Sequence, residues 1–167
     1  PSERDPRVLF AALAELRDEG KLDAAHVEFA FRGCGFDDVH GRDVDRLQLR
    51  DLVKLLPPIG YAEALQEMAA ADACLLLQAS NCNQQIPAKA YEYLYMGRPI
   101  LTLADPAGDT GQLMSRFDVA GIATLEDADA IAAMLQQHLP KIRAGQYAVA
   151  PRAKVMTLSR QSGAQEL

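Results

Sequence analysis

The sequence predicts an α/β domain in which a Rossmann-like parallel sheet carries helices on both faces. Three observations support this. Helix-period and strand-sized segments alternate along most of the chain, the order that builds parallel sheets through crossover helices. The run Ala73-Cys74-Leu75-Leu76-Leu77 has no polar interruption, as in a strand covered on both faces. Finally, the chain has 167 residues, which suits one domain with a core of useful size.

The elements follow in order. Asp5-Pro6 reads as the cap and first-turn pair of a helix. Val8, Leu9, Ala12, Leu13 and Leu16 fall on one face of it, and Gly20 stops it. Residues 26–31 alternate and run into Gly33-Cys34-Gly35 as a strand entering a loop. Residues 38–49 are weakly helical. Residues 52–59 form a short strand closed by Pro57 and Pro58, and residues 61–71 an amphipathic helix before the strand at 73–78.

Residues 86–104, IPAKAYEYLYMGRPILTLA, admit two readings. Tyr91, Tyr93 and Tyr95 alternate as in a strand. Pro87 suits a first helical position, however, and Gly97 the left-handed position after a last turn. The helix reading wins, with Ala88, Tyr91, Leu94 and Tyr95 expected to face the sheet and Tyr93 outside. Residues 100–104 are then the next strand, 109–119 a helix, 121–125 a strand and 126–142 a helix whose early acids and late Lys141 match its dipole. This gives five strands in a domain at 1–146. The tail at 147–167 loses the pattern until residues 155–167, expected as a last helix packing elsewhere.

Composition narrows the function. The chain is 49% hydrophobic and carries a net charge of −6. It shows no stripe of Lys and Arg for phosphate backbones, so no nucleic-acid partner is expected. The longest apolar runs are strand-sized, which predicts no transmembrane segment, and no signal sequence opens the chain. Cys34, Cys74 and Cys82 are odd in number and lack zinc spacing. They predict a reduced, cytoplasmic domain with no metal site. Cys82 lies in a polar loop, but His26, His40 and His138 are poor partners for it, the last two being expected at the surface.

In open α/β sheets, ligands bind at the carboxyl ends of strands. The loop after the third strand is the most polar there, with Ser80, Asn81, Asn83, Gln84 and Gln85 directly before a helix. Amides from Gln85 to Ala88 would attract phosphate at that helix start. Glu92, a turn and a half further in, is badly placed for phosphate and well placed to accept hydrogen bonds from ribose hydroxyls. The alternative is that Glu92 pairs with Lys89 on the helix surface. On these residues alone both readings stand.

IPAKAYEYLYMGRPIL resembles the segment P-x-K-x-x-E-Y-x-x-x-G-x-P-[IV]-[IL] of the C-terminal, donor-binding domains of family 4-like, GT-B-type glycosyltransferases. Residues 55–78 are similar to the strand, helix and strand before that segment, residues 108–135 to its continuation, and LSRQSGAQEL to the closing helix. The resemblance runs from about Pro6 to the end and implies one half of a GT-B fold. It also implies metal-independent transfer from a nucleoside-diphosphate sugar, UDP- or GDP-linked, as in polysaccharide biosynthesis, with no further cofactor.

Residue by residue, Glu92 matches the glutamate that binds the donor ribose. Gln84 stands where many members have a second glutamate near the donor sugar. Gln85, Ile86 and Pro87 would meet the diphosphate, Lys89 matches the motif lysine, and Pro58 and Ile59 would lie near the nucleobase. Members begin this domain with a strand and a loop whose Arg and Lys neutralise the leaving diphosphate. The chain opens on Pro1-Ser2-Glu3-Arg4, just past that loop, and the N-terminal acceptor-binding domain is missing from it. Isolated, the chain is expected to bind nucleotide without turnover. Two other readings are a non-catalytic module keeping the fold for protein interaction and a sugar-nucleotide epimerase.

Overall fold

The computed structural model describes residues 3–119 and 121–158. Most of the expected closing helix, residues 159–167, lies outside it. The first helix, α1 (Arg7–Asp18), starts where the Asp5 carboxylate accepts the Arg7 amide at 3.0 Å. It buries Leu9, Phe10, Ala12, Leu13 and Leu16, while Val8 is only half-buried. Next come β1 (Phe29–Arg32), α2 (Asp37–Arg46), β2 (Val53–Leu56), α3 (Tyr61–Ala70) and β3 (Cys74–Leu77). A single 3₁₀ turn at Ser80–Cys82 precedes α4 (Ala88–Met96) and β4 (Ile100–Leu103). The described residues end with α5 (Asp109–Phe117), β5 (Gly121–Ala123), α6 (Ala128–Arg143) and α7 (Arg152–Met156).

The expected α/β class and the five parallel strands are present, flanked by helices. The strands differ from expectation in forming two sheets. β1 pairs with β2, Phe29 opposite Val53. β3, β4 and β5 form the second sheet, with Cys74 opposite Ile100 and Leu101 opposite Gly121. The two share a core: Phe29 and Val53 of the first sheet lie in one cluster with Leu101, Leu103 and the buried face of α1. A second cluster joins Cys74, Leu76, Ala90, Leu94, Ile100 and Met114.

Continuous burial was expected of residues 73–78, yet β3 alternates between buried and half-buried positions. The strand buried at all four positions is β4, because β4 alone has a paired neighbour on each side. Close packing also fixes Gly111 in α5, where a Cβ would sit 2.3 Å from the Asp105 carbonyl oxygen.

Helix α4 forms as the bracketing residues predict, with Gly97 at φ 66° closing it. Pro87 is its N-cap, one residue outside the expected position. Its buried face is different. Ala90 and Leu94 are buried and Tyr93 packs beside them, whereas Ala88, Tyr91 and Tyr95 are exposed. Burial pushes the Tyr93 phenol up to about 12. The helix is turned because the set 90, 93, 94 is an equally good i, i+3, i+4 stripe and meets β3 on one side and the tail on the other. The described part of the tail packs on α4: Ala150 and Val155 join the α4 cluster, and the Arg152 guanidinium lies 5.6 Å from the Tyr95 ring centre.

His40 also departs from expectation. It is buried in α2, with its ring edge-on to Phe10 and Phe36, and its Nδ1 has no hydrogen-bond partner among the described residues. His138 is half-buried in α6.

Candidate functional site

Parallel pairing sets the carboxyl ends of the strands of each sheet on one rim. On the rim of the second sheet, residues 78–87 curl back over the end of β3, and Gln78 holds that shape from below. Its buried side-chain amide donates to the Cys82 carbonyl at 2.6 Å and to the Gln85 carbonyl at 2.7 Å. Its side-chain oxygen accepts from the buried Thr110 hydroxyl at the start of α5, which also lies 3.0 Å from the Gln85 carbonyl. Two further ties fix the loop to its neighbours. Asn83 donates to Asp105 at 2.5 Å and accepts from the Asp109 amide at 2.8 Å. The Ser80 amide donates to the Glu126 carboxylate at 2.8 Å.

Above this frame Ser80, Asn81, Cys82, Asn83, Gln84 and Gln85 line an open hollow of about 270 Å³. That is room for a sugar or a phosphate group, below the usual size of a whole ligand pocket. Beside it, Glu3, Arg4, Gln78, Cys82, Gln85 and Pro87 line a smaller pocket of about 30 Å³, enough for a water molecule.

The start of α4, which follows the hollow's lining in sequence, has no side-chain cap among the described residues. The Gln85 amide is engaged by the Cys82 carbonyl at 3.0 Å, and Pro87 has no N–H to offer. The amides of Ile86, Ala88 and Lys89 have no partner among the described residues. They are the donors this end of α4 can give an anion.

The other expected residues are distributed unevenly. Gln84 and Gln85 line the hollow, Pro87 adjoins it, and Ile86 packs onto the second cluster. Glu92 lines neither space. It accepts from the Lys89 ammonium at 2.6 Å, and both side chains are partly exposed. Pro58 and Ile59 stand on the rim of the first sheet, also outside both spaces. There Pro58 packs on Gly33, and Arg32 ties the region together by donating to the Pro57 carbonyl at 2.7 Å and to Glu67 at 3.0 Å.

Nothing in the sequence promotes Arg4 or Arg7, which precede or enter the first helix. Arg4 lines the small pocket and makes no hydrogen bond or ion pair among the described residues, whereas Arg7 is engaged by Asp5, whose carboxyl it holds below the usual range. The only sequence signal was a basic residue just ahead of α1. Burial, and then the Glu3 carboxylate, push the Cys82 thiol above its ordinary value, which disfavours the reactive thiolate. Among the described residues no group of three or more His, Cys, Asp or Glu is placed to hold a metal ion, and no helix is long and apolar enough to cross a membrane.

No family model matches the chain, and comparison with curated proteins finds no match.

Proposed function

We propose that the chain is the donor-binding domain of a metal-independent glycosyltransferase that takes a nucleoside-diphosphate sugar. The observation that carries the reading is the uncapped start of α4, which follows directly in sequence on the residues lining an open polar hollow, with Arg4 lining the adjoining small pocket. The amides of Ile86, Ala88 and Lys89 and the Arg4 guanidinium would together stabilise a leaving diphosphate without reorganising during the reaction. Gln84 and Gln85 line the hollow, and an amide side chain can both donate to and accept from a sugar hydroxyl. Glu92 would accept the ribose hydroxyls after turning from Lys89, a surface pair worth only about 0.3–0.5 kcal/mol at this spacing. The acceptor would come from a separate N-terminal domain.

A second reading, a non-catalytic interaction module, draws support from the same Glu92–Lys89 pair and from Gln84, an amide where the resembling family has an acid.

Titration of UDP, GDP and ADP separates the two. The donor domain binds at least one of them weakly, and Glu92→Ala and Arg4→Ala each weaken binding roughly tenfold, about 1.4 kcal/mol. Absence of binding by all three, or a Glu92→Ala variant that binds as well as the parent, overturns the donor reading.

A further inference from the structure

We infer that Gln78 and Thr110 act together as a buried lock on one peptide group, Gln85–Ile86, and that the lock sets the direction in which the Ile86 N–H is offered. The lock stands on geometry alone. What the N–H is offered to, a phosphate oxygen, rests on the donor reading above.

Gln78 follows β3 and is 5% exposed, and Thr110 stands in the first turn of α5. A carboxamide has two N–H donors and one oxygen. Both donors of Gln78 are spent on loop carbonyls, those of Cys82 at 2.6 Å and Gln85 at 2.7 Å. Its oxygen accepts from the Thr110 hydroxyl. Turned over, the side chain would set its oxygen against both carbonyls, so the network closes in one sense only.

Gln85 is thereby held at both of its backbone groups. Its amide donates to the Cys82 carbonyl at 3.0 Å, and its carbonyl accepts from Gln78. The peptide between Gln85 and Ile86 is trans, and in a trans peptide the N–H points opposite to the C=O. With the carbonyl drawn to buried Gln78, the Ile86 N–H is turned away from it. That N–H has no partner among the described residues. A carbonyl that accepts a hydrogen bond also polarises its own peptide, which strengthens the N–H as a donor.

The neighbours leave this peptide little freedom. The Ile86 side chain packs on the second cluster, and the Pro87 ring fixes its φ at −66°. The ties of Ser80 to Glu126 and of Asn83 to Asp105 hold only the earlier part of the loop. Neither N–H of Gln78 is left for a ligand, and its oxygen is also taken. Gln78 and Thr110 are therefore positioning residues, acting on a bound phosphate through the Ile86 N–H.

The test combines residual dipolar couplings of the backbone N–H groups with titration of inorganic pyrophosphate, followed by the amide shifts of Ile86, Ala88 and Lys89. In the parent, the Ile86 coupling fits a vector opposite to the Gln85 carbonyl. Thr110→Val removes that single value, by averaging or by broadening, and weakens pyrophosphate binding about fivefold. Thr110→Ser keeps the hydroxyl and restores both. Leu55→Ala, a loss of stability in the first sheet, changes neither, and Arg4→Ala weakens binding with the coupling in place. A coupling that survives Thr110→Val, or that Leu55→Ala removes as well, overturns the lock whether or not pyrophosphate binds. Equal binding by the parent and Thr110→Val, with the coupling lost, overturns the role of the Ile86 N–H as a ligand donor. If the parent binds no pyrophosphate while the couplings behave as stated, the lock stands and the donor reading fails.

Discussion

β1, an edge strand, and β4, a central one, have the same length and nearly opposite surroundings. β4 is paired on both sides and buried at all four positions. β1 is paired on one side and buried only at Phe29. Their apolar content does not account for the difference, since Phe29 and Phe31 are larger than anything in β4. Position in the ladder does: a strand with neighbours on both edges is covered by whatever lies over those neighbours as well. The candidate site hangs on the well-covered sheet, where Gln78, Asn83 and Thr110 have rigid backbone to hold.

The largest expected effect tests this contrast with one chemical change. Leu103, in β4, is 0% exposed, and Leu55, in β2, is half-buried. Leu103→Ala should cost about 3 kcal/mol and Leu55→Ala about half as much, measured by urea denaturation with unchanged slope. Equal losses would mean that the first sheet is as tightly built as the second.

A smaller effect comes from protons held in the second cluster. Burial pushes the Cys74 thiol up to about 11 and the Tyr93 phenol up to about 12. Above the ordinary thiol value of 9.0 the unfolded chain sheds protons that the native chain keeps, so stability is full below about pH 9 and falls as pH rises. The thiol alone should account for on the order of 2 kcal/mol by pH 11. Denaturation midpoints between pH 8 and 11.5 report this, with Cys74→Ala and Tyr93→Phe each flattening the decline. Cys34, at the rim of the first sheet, is raised by partial burial and by Asp37, and Cys34→Ala should flatten the decline less. If it flattens the decline more, the second cluster is not the tighter one.

Much of the chain was legible in its sequence because the signals were local. The spacing of Leu9, Leu13 and Leu16 marks α1, and Pro87 with Gly97 marks α4, without reference to any other segment. The misreadings arose where distant partners decide. Ala88, Tyr91 and Tyr95 and Ala90, Tyr93 and Leu94 are both acceptable faces for α4, and contacts with β3 and α7 select the second. The pattern in 73–78 says that a strand is apolar, but the division into two sheets depends on which edges meet. His40 sits in a weakly patterned helix, and its burial follows from Phe10 and Phe36 closing over it. In the candidate site, the polar loop was visible as a run of amides before a helix. Gln78 was not, since it ends an apolar strand and becomes an anchor only when the loop folds back on it. Arg4 was seen only as a residue ahead of α1, and the pocket it lines exists only in three dimensions.

The smallest predicted effect contrasts two buried threonines. Thr102 lies at the centre of β4, 0% exposed, and its hydroxyl has no partner among the described residues. A buried hydroxyl without a hydrogen bond is a loss relative to a methyl group of nearly the same shape. Thr102→Val should therefore raise stability by about 1 kcal/mol. Thr110, 2% exposed, has its hydroxyl held by Gln78 and Gln85. Thr110→Val removes the one hydroxyl proton shared near the Gln78 side-chain oxygen and the Gln85 carbonyl. The carbonyl keeps the Gln78 amide and the Gln78 oxygen loses its donor, which should lower stability by about 1 kcal/mol, with exchange broadening of the amides of residues 82–86. Opposite signs for one substitution would place polar satisfaction in the loop and strict packing in the strand. If both variants lose stability, the Thr102 hydroxyl has a partner, and the case for β4 as a purely apolar centre fails.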